Sequence, residues 1–256
     1  MVVIWGQRMY GRVDRFAGSH VATRFFHIYY LPLIPLASWL VLEEQGDGRF
    51  IGVQVPLQAR SILSAWLRVA SLILLAVMGV RALSFPADWA RIHSLPAEVG
   101  SRLGLMPTFV VNVLFLGAVA AIAAYSWLGL GRLTRAEKAA RVVYWDFAGK
   151  FVDVALLGEG RGAVKARAGE ELDRHLIKHA TGGYREAPRA KWREIATRPD
   201  QRDVALLRAA LTRCRIEWSE TRGGARRELA RDHAQILERL LAASPDVAAV
   251  EQFEVG

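Results

Sequence analysis

The chain has 256 residues, 52% of them hydrophobic and 23% charged, with a formal net charge of +9. This composition excludes a disordered chain and a collagen-like repeat, and the single cysteine, Cys214, excludes an intrachain disulfide framework. A mean hydropathy of +0.17 beside so many charges requires the apolar residues to be segregated along the chain. The basic side is almost all arginine, 29 Arg against 5 Lys. Only four basic residues fall in 62–131, whereas 24 fall in 132–256, where 19 carboxylates oppose them. No nucleic-acid motif accompanies this charge, so it is read as a cytoplasmic surface facing anionic lipid, and nucleic acid is disfavoured as a partner.

Residues 1–58 read as a small β module. The segments VVIWGQRMYGRVD, HVATRFFHIYYL, SWLVLEEQ and RFIGVQVPL are rich in β-branched and aromatic residues, and a Gly-Asp-Gly turn splits the last two. Phe25–Leu42 carries no formal charge over 18 residues. Pro32 and Pro35 would each remove a helical hydrogen bond, so strands are expected there, with a spanning or re-entrant membrane segment as the alternative. A face bearing Trp5, Phe26, Tyr30 and Trp39 has two possible resting places, the module's own core or a bilayer surface.

The segment FFHIYYLPLIPL, residues 25–36, resembles the F-x-P-L-I-P segment of small bacterial zinc-ribbon proteins, many of which begin with a short strand around Trp-Gly, as at Trp5-Gly6. The resemblance covers roughly 40 residues and implies a similar β scaffold. Those proteins hold zinc with paired cysteines; this module has none, so their metal site is not carried over.

Two transmembrane segments are expected next. Thr108 to Leu130 is uncharged over 23 positions, a helix of about 34 Å, with Tyr125 and Trp127 near one end. The first span, about 62–83, includes Arg68 and Arg81 near its ends, where long side chains reach the interface at modest cost. Trp66 at one end, with Phe85 and Trp89 beyond the other, supplies aromatic belts. Arg132, Arg135, Lys138, Arg141 and Lys150 follow the second span, while Arg91 and Arg102 in the 84–107 loop are offset by Asp88 and Glu98. Both termini are therefore expected in the cytoplasm of a bacterium, with the hairpin (59–131) in the inner membrane. The opening MVVIWGQR lacks the apolar region of a secretory signal. As a whole the chain resembles uncharacterised bacterial two-pass membrane proteins, which implies a membrane location and no particular activity.

Residues 132–256 read as a cytoplasmic helical bundle. Thr134-Arg-Ala-Glu137 is a capping box, and Gly149 ends the helix it opens. Phe151–Leu157 is ambiguous between a strand and a short helix, and Gly158-Glu-Gly160-Arg-Gly162 reads as a flexible turn, lacking the ending of a phosphate loop. A helix is expected from Glu170 to Ala180, closed by Thr181-Gly182-Gly183, with the two glutamates favouring its amino end. Val204, Leu207, Leu211, Cys214 and Trp218 form one stripe; Leu229, His233, Ile236 and Leu240 form another after Gly223-Gly224, which predicts an antiparallel helix pair. Ser244-Pro245 opens a last short helix.

The expected fold is thus a membrane protein of mixed α+β class: β module, two-helix transmembrane hairpin and helical bundle. His175 and His179 share one helical face at metal-ligand spacing, but Leu176 stands where a zincin has its catalytic glutamate, so solvated surface histidines are the plainer reading. His233, inside an apolar stripe, reads as a packed interface residue. Gly117, Ala121 and Ala124, with Ala120 beside them, form a small-residue face suited to helix packing against the first span or a second copy. No cofactor is expected and no catalytic set assembles. The expected function is an anchor, scaffold or accessory protein acting through protein contacts, with a lipid bilayer and a protein partner or homo-oligomer as its partners. The alternatives are a membrane-bound metal-dependent hydrolase using His175 and His179, or an electrostatic binder of anionic lipid or nucleic acid through 132–256.

Overall fold

The structure is a computed structural model and describes residues 4–46, 49–83, 90, 101–179 and 191–248, with the side chains of 101–109 and 178–179 left aside. Phe85, Trp89, the charged residues of 84–100, Asp47 and Thr181–Gly183, all used above, lie outside the described residues.

Four strands form one antiparallel sheet in chain order: β1 (Trp5–Phe16), β2 (Ser19–Ile28), β3 (Leu31–Gly46) and β4 (Arg49–Val55). The connections are tight because their central residues take left-handed backbone, Ala17 and Gly18 in the first turn and Tyr29 and Tyr30 in the second. Phe25–Leu42 is accordingly strand on both sides of the Tyr29-Tyr30 turn, and both prolines lie within β3.

Among the described residues there are eight α-helices. The first two are α1 (Ala59–Ala82) and α2 (Ser101–Ala124), the latter extended by a π-helical turn at Tyr125–Gly129. Both are long and apolar enough to cross a membrane. After them come α3 (Arg135–Ala148), a 3-10 turn at Val154–Leu156, α4 (Gly160–His179), α5 (Trp192–Ala196), α6 (Val204–Glu220), α7 (Gly224–Ala243) and α8 (Pro245–Ala248).

Two local expectations are corrected. The glycine run at 158–162 is not a free turn throughout, because Gly160 already begins α4. Glu170 and Glu171 therefore lie in the middle of a helix and do not serve its dipole. Within Phe151–Leu157 the short-helix alternative holds, as a 3-10 turn that Asp153 caps by accepting from the Ala155 amide at 3.0 Å. The capping box at Thr134 is complete, the hydroxyl accepting from the Glu137 amide and the Glu137 carboxylate from the Thr134 amide.

The chain divides into two compact units that cut across the strands. Unit 1 contains Met1–Val13, Val21–Ser38 and Leu57–Arg132; unit 2 contains Asp14–His20, Trp39–Pro56 and Leu133–Gly256. In unit 1 the first turn of α1 is fastened to the sheet by buried hydroxyls. Ser61 donates to the Gly11 carbonyl at 2.7 Å and accepts from Thr23 at 2.8 Å, and Thr23 shares a 2.8 Å bond with Ser38. Gly11, with φ of 65°, leaves room for this approach: a Cβ there would lie 1.9 Å from the Ser61 carbonyl oxygen. In unit 2 the core is leucine-rich. Leu172 and Leu176 of α4, Leu206, Leu207 and Leu211 of α6, and Ile236 and Leu240 of α7 are fully buried together.

Candidate functional site

No catalytic cleft dominates the described residues; three arrangements carry chemistry. The first is the helix pair of unit 1. Within the most apolar windows of α1 and α2 mean hydropathy reaches 2.0 and 1.9, yet only 22% and 17% of those residues are buried. Leu72, Ile73, Val77, Val111, Leu114 and Phe115 all point outward. A helix of a water-soluble core would bury that face, because an exposed apolar area of this extent is rare on soluble monomers.

α1 meets α2 along a polar-edged seam. Ser64, Ala65, Ser71 and Met78 are buried on α1, and Val119, Ala123 and Ser126 on α2 and the π turn. In the π turn the Leu130 amide reaches back five residues to Tyr125 at 2.7 Å, which withdraws Leu130 as a donor to Ser126. Arg68 fills that place, donating from Nε to the Ser126 carbonyl at 3.0 Å with its guanidinium 5.3 Å from the Trp127 ring centre. Gly117, Ala121 and Ala124 lie on the exposed side of α2, and a Cβ at Gly117 would meet nothing within 4 Å. The small-residue face is therefore turned away from the seam that α1 occupies.

The second arrangement is a partly buried polar cluster in unit 2. Asp153 pairs with Arg215, which donates from Nε at 3.0 Å and also from Nη2. Burial works to raise the Asp153 carboxyl, but the Arg215 charge and its hydrogen bonds outweigh that and hold it below the usual range. Arg215 also lies over the Trp218 ring at 4.5 Å, and Trp218 packs 5.6 Å from the His233 ring. His233 Nε2 is 2.8 Å from the Tyr144 hydroxyl. Burial raises the Tyr144 phenol well above its ordinary value, and burial followed by the Arg215 charge pushes His233 down to about 4. Both partners are thus neutral, and the direction of the bond follows the imidazole tautomer. Arg141, buried and lowered by desolvation, donates to the Asp14 carbonyl at 3.1 Å. Cys214 is fully buried, its thiol pushed up to about 12 by desolvation, and it donates to the Leu229 carbonyl at 3.3 Å.

The third arrangement concerns the histidine pair. His175 lies between two carboxylates, with Nδ1 3.0 Å from Asp203 and Nε2 3.0 Å from Glu171. A ring nitrogen must present a lone pair to a metal, and both here face carboxylate oxygens instead. Asp203 simultaneously caps α6, accepting from the Ala205 and Leu206 amides. His175 is therefore a tie between α4 and the start of α6. His179 closes α4, and its side chain lies outside the described residues. No group of three or more His, Cys, Asp or Glu suited to a metal ion occurs among the described residues. An open groove beside the 158–160 turn is lined by Leu42, Gln54, Lys150, Glu159 and Arg167.

No family model matches this chain, and neither the curated proteins nor the solved structures provide a match.

Sequence reasoning did not find the Arg68–Ser126 bond, the Asp153–Arg215 pair or the Tyr144–His233 bond. Each joins residues at least 58 positions apart. Only Arg68 carried a local signal, a cation inside an otherwise uncharged run.

Proposed function

We propose that this chain is a two-pass membrane anchor of the scaffold or accessory type. It lies in a bacterial inner membrane with both termini cytoplasmic, and its polar helical unit meets protein partners or a second copy. The observation that carries the reading is the outward apolar face of α1 and α2, which finds a favourable solvent only in lipid. The arginines that follow residue 130 support the orientation. Ion pairs between its elements, Arg193–Asp232, Arg208–Asp146 and Arg215–Asp153, rigidify the helical surface of unit 2 and support a protein-contact role.

The test is topology in intact cells. Ser94→Cys and Asp47→Cys variants of the full chain are treated with a membrane-impermeant maleimide, before and after lysis. Labelling of Ser94→Cys from outside, labelling of Asp47→Cys only after lysis, and retention of the protein in carbonate-washed membranes are expected. Release by carbonate overturns the anchor, and outside labelling of Asp47→Cys overturns the orientation.

A further inference from the structure

The tip of the β2–β3 hairpin is an exposed apolar surface in unit 1. Tyr29, Tyr30, Leu31, Leu33, Ile34 and Leu36 are all exposed, Ile34 by 57%. Alternate residues of a strand point to opposite faces, so a half-buried strand hides one set. Here Pro32 alone is buried between Leu31 and Leu36: Leu31 and Leu33 are exposed on one face, Ile34 and Leu36 on the other, and burial returns at Ser38 and Leu40. The adjacent edge extends the patch, because the Tyr29 amide donates to the Ile4 carbonyl at 2.8 Å and Trp5 beside it is 70% exposed.

This surface is rigid, and it is tied to the start of a lipid-facing helix. Trp66 of α1 donates from its indole nitrogen to the Pro32 carbonyl at 3.0 Å and packs edge-on to Phe25. Tyr10 donates from its hydroxyl to the Tyr30 carbonyl at 3.0 Å, and His27 stacks on the Tyr30 ring. The tip therefore sits at the level of Trp66, two turns into α1, where an indole suits the headgroup boundary. Tyr29 and Tyr30 both hold left-handed backbone, at φ of 48° and 66°. Asn-Gly would adopt that turn at lower cost, so two aromatic side chains stand at the tip at an expense in backbone strain. Arg8 lies 5.7 Å from the Tyr30 ring centre, which puts a cation beside the apolar tip, as at a boundary between acyl chains and anionic headgroups.

We propose that the 29–36 hairpin tip, with Ile4 and Trp5 beside it, inserts into the headgroup–acyl boundary of the same bilayer that α1 and α2 cross. This rests on the anchor reading above and adds a third, non-spanning contact. The occupant is lipid because the patch has no charge of its own, continues from the lipid-facing helix through Trp66, and carries the aromatic rim of an interfacial segment.

The full chain is reconstituted in nanodiscs of phosphatidylethanolamine and phosphatidylglycerol, with a single environment-sensitive fluorophore at Ile34→Cys. Cys214, buried and poorly ionised, stays unlabelled, which the parent chain checks. Leu33→Cys repeats the measurement on the opposite face of β3, Val77→Cys reports the middle of α1, and Arg226→Cys reports water. Quenching of both hairpin labels by a shallow lipid-borne quencher is expected, with iodide quenching severalfold weaker than at Arg226→Cys. Iodide access at the hairpin equal to that at Arg226→Cys, while Val77→Cys is quenched from lipid, overturns the insertion and leaves the anchor standing. Shielding of the hairpin from both quenchers assigns the patch to a second copy or another protein and overturns it too. Aqueous quenching at Val77→Cys overturns the anchor, and the insertion with it.

Discussion

Arg68 and Ser126 are joined across the two apolar helices: Nε of the arginine donates to the serine carbonyl at 3.0 Å. The bond exists because a π turn leaves that carbonyl without its helical donor, and because Arg68 is long enough to reach it while its guanidinium lies over Trp127. A cation that composition alone would treat as a flaw in a membrane segment is thus the fastening of the helix pair. π turns inside helices often mark places where a carbonyl is needed for something other than the helix itself.

Replacing Arg68 by Met should therefore weaken the pair although it raises the apolar content of α1. A hydrogen bond from a charged donor contributes about 1.5–3 kcal/mol, and that loss is expected. Arg68→Lys should recover only part of it, since an ammonium cannot bridge the carbonyl and stack on Trp127 together. Thermal unfolding in detergent, followed by tryptophan fluorescence, gives the order wild type, Lys, Met. An unchanged midpoint for the Met variant would show that the bond carries no stability.

Two glycines of unit 1 should respond in opposite ways to alanine. At Gly11 the backbone is left-handed and the new Cβ would meet the Ser61 carbonyl at 1.9 Å, so α1 would have to leave the sheet. Gly11→Ala is expected to cost more than about 3 kcal/mol or to abolish folding. At Gly117 the Cβ meets nothing, and helix propensity favours alanine by about 1 kcal/mol. Gly117→Ala is thus expected to be neutral or stabilising in the monomer. Limited proteolysis of the purified variants separates the two outcomes, and equal resistance at both positions would contradict the geometry.

Elements whose signals are local were legible before the structure. The capping box at Thr134, the Val204–Trp218 stripe and the uncharged run ending at Leu130 each lie within one element. The start of α4 was not, because Gly158, Gly160 and Gly162 argue locally for a turn. What overrides them is burial of Val164, Ala168, Leu172 and Leu176 at four-residue spacing, a stripe visible in the sequence that extends the helix upstream of Glu170. The Tyr29-Tyr30 turn lacks the Asn and Gly that usually announce a hairpin. The Asp153–Arg215 pair spans 62 positions, a distance at which neither residue type nor spacing identifies a partner. For the candidate site the limit is similar: the histidine spacing and Glu171 one turn before His175 are local, but the engagement of His175 by Asp203 depends on how α4 packs beside α6.

Breaking the Asp153–Arg215 pair from one side should be costlier than removing it whole. Asp153→Ala leaves a partly buried guanidinium unpaired and removes the cap of the 3-10 turn, for a loss of about 3–5 kcal/mol. The double variant Asp153→Ala with Arg215→Met removes the stranded charge and should regain part of that loss. Denaturant unfolding followed by helical circular dichroism measures both. A double variant as unstable as the sum of the two single ones would show that the residues are not energetically coupled.

Unit 2 should lose stability as pH falls through the histidine range. His233 has its folded value pushed down to about 4 from an ordinary 6.5, so between those values the unfolded chain takes up a proton that the folded one refuses. Its contribution is complete above about pH 6.5 and declines as pH approaches 4, by up to about 3 kcal/mol for a displacement of that size. Protonation also makes both ring nitrogens donors, so Nε2 can then only donate to the Tyr144 oxygen. Asp153 acts in the same direction at lower pH, because a carboxyl held below its usual range gives stability that is lost only as the folded group protonates. His233→Phe should therefore flatten the stability profile between pH 6.5 and 4 while leaving the fall below pH 4. Unfolding midpoints at several pH values, compared between wild type and variant, provide the check. A wild-type profile that is flat from pH 7 to 4.5 would mean that His233 is protonated in the folded protein as readily as in water, and that its bond to Tyr144 does not hold it neutral.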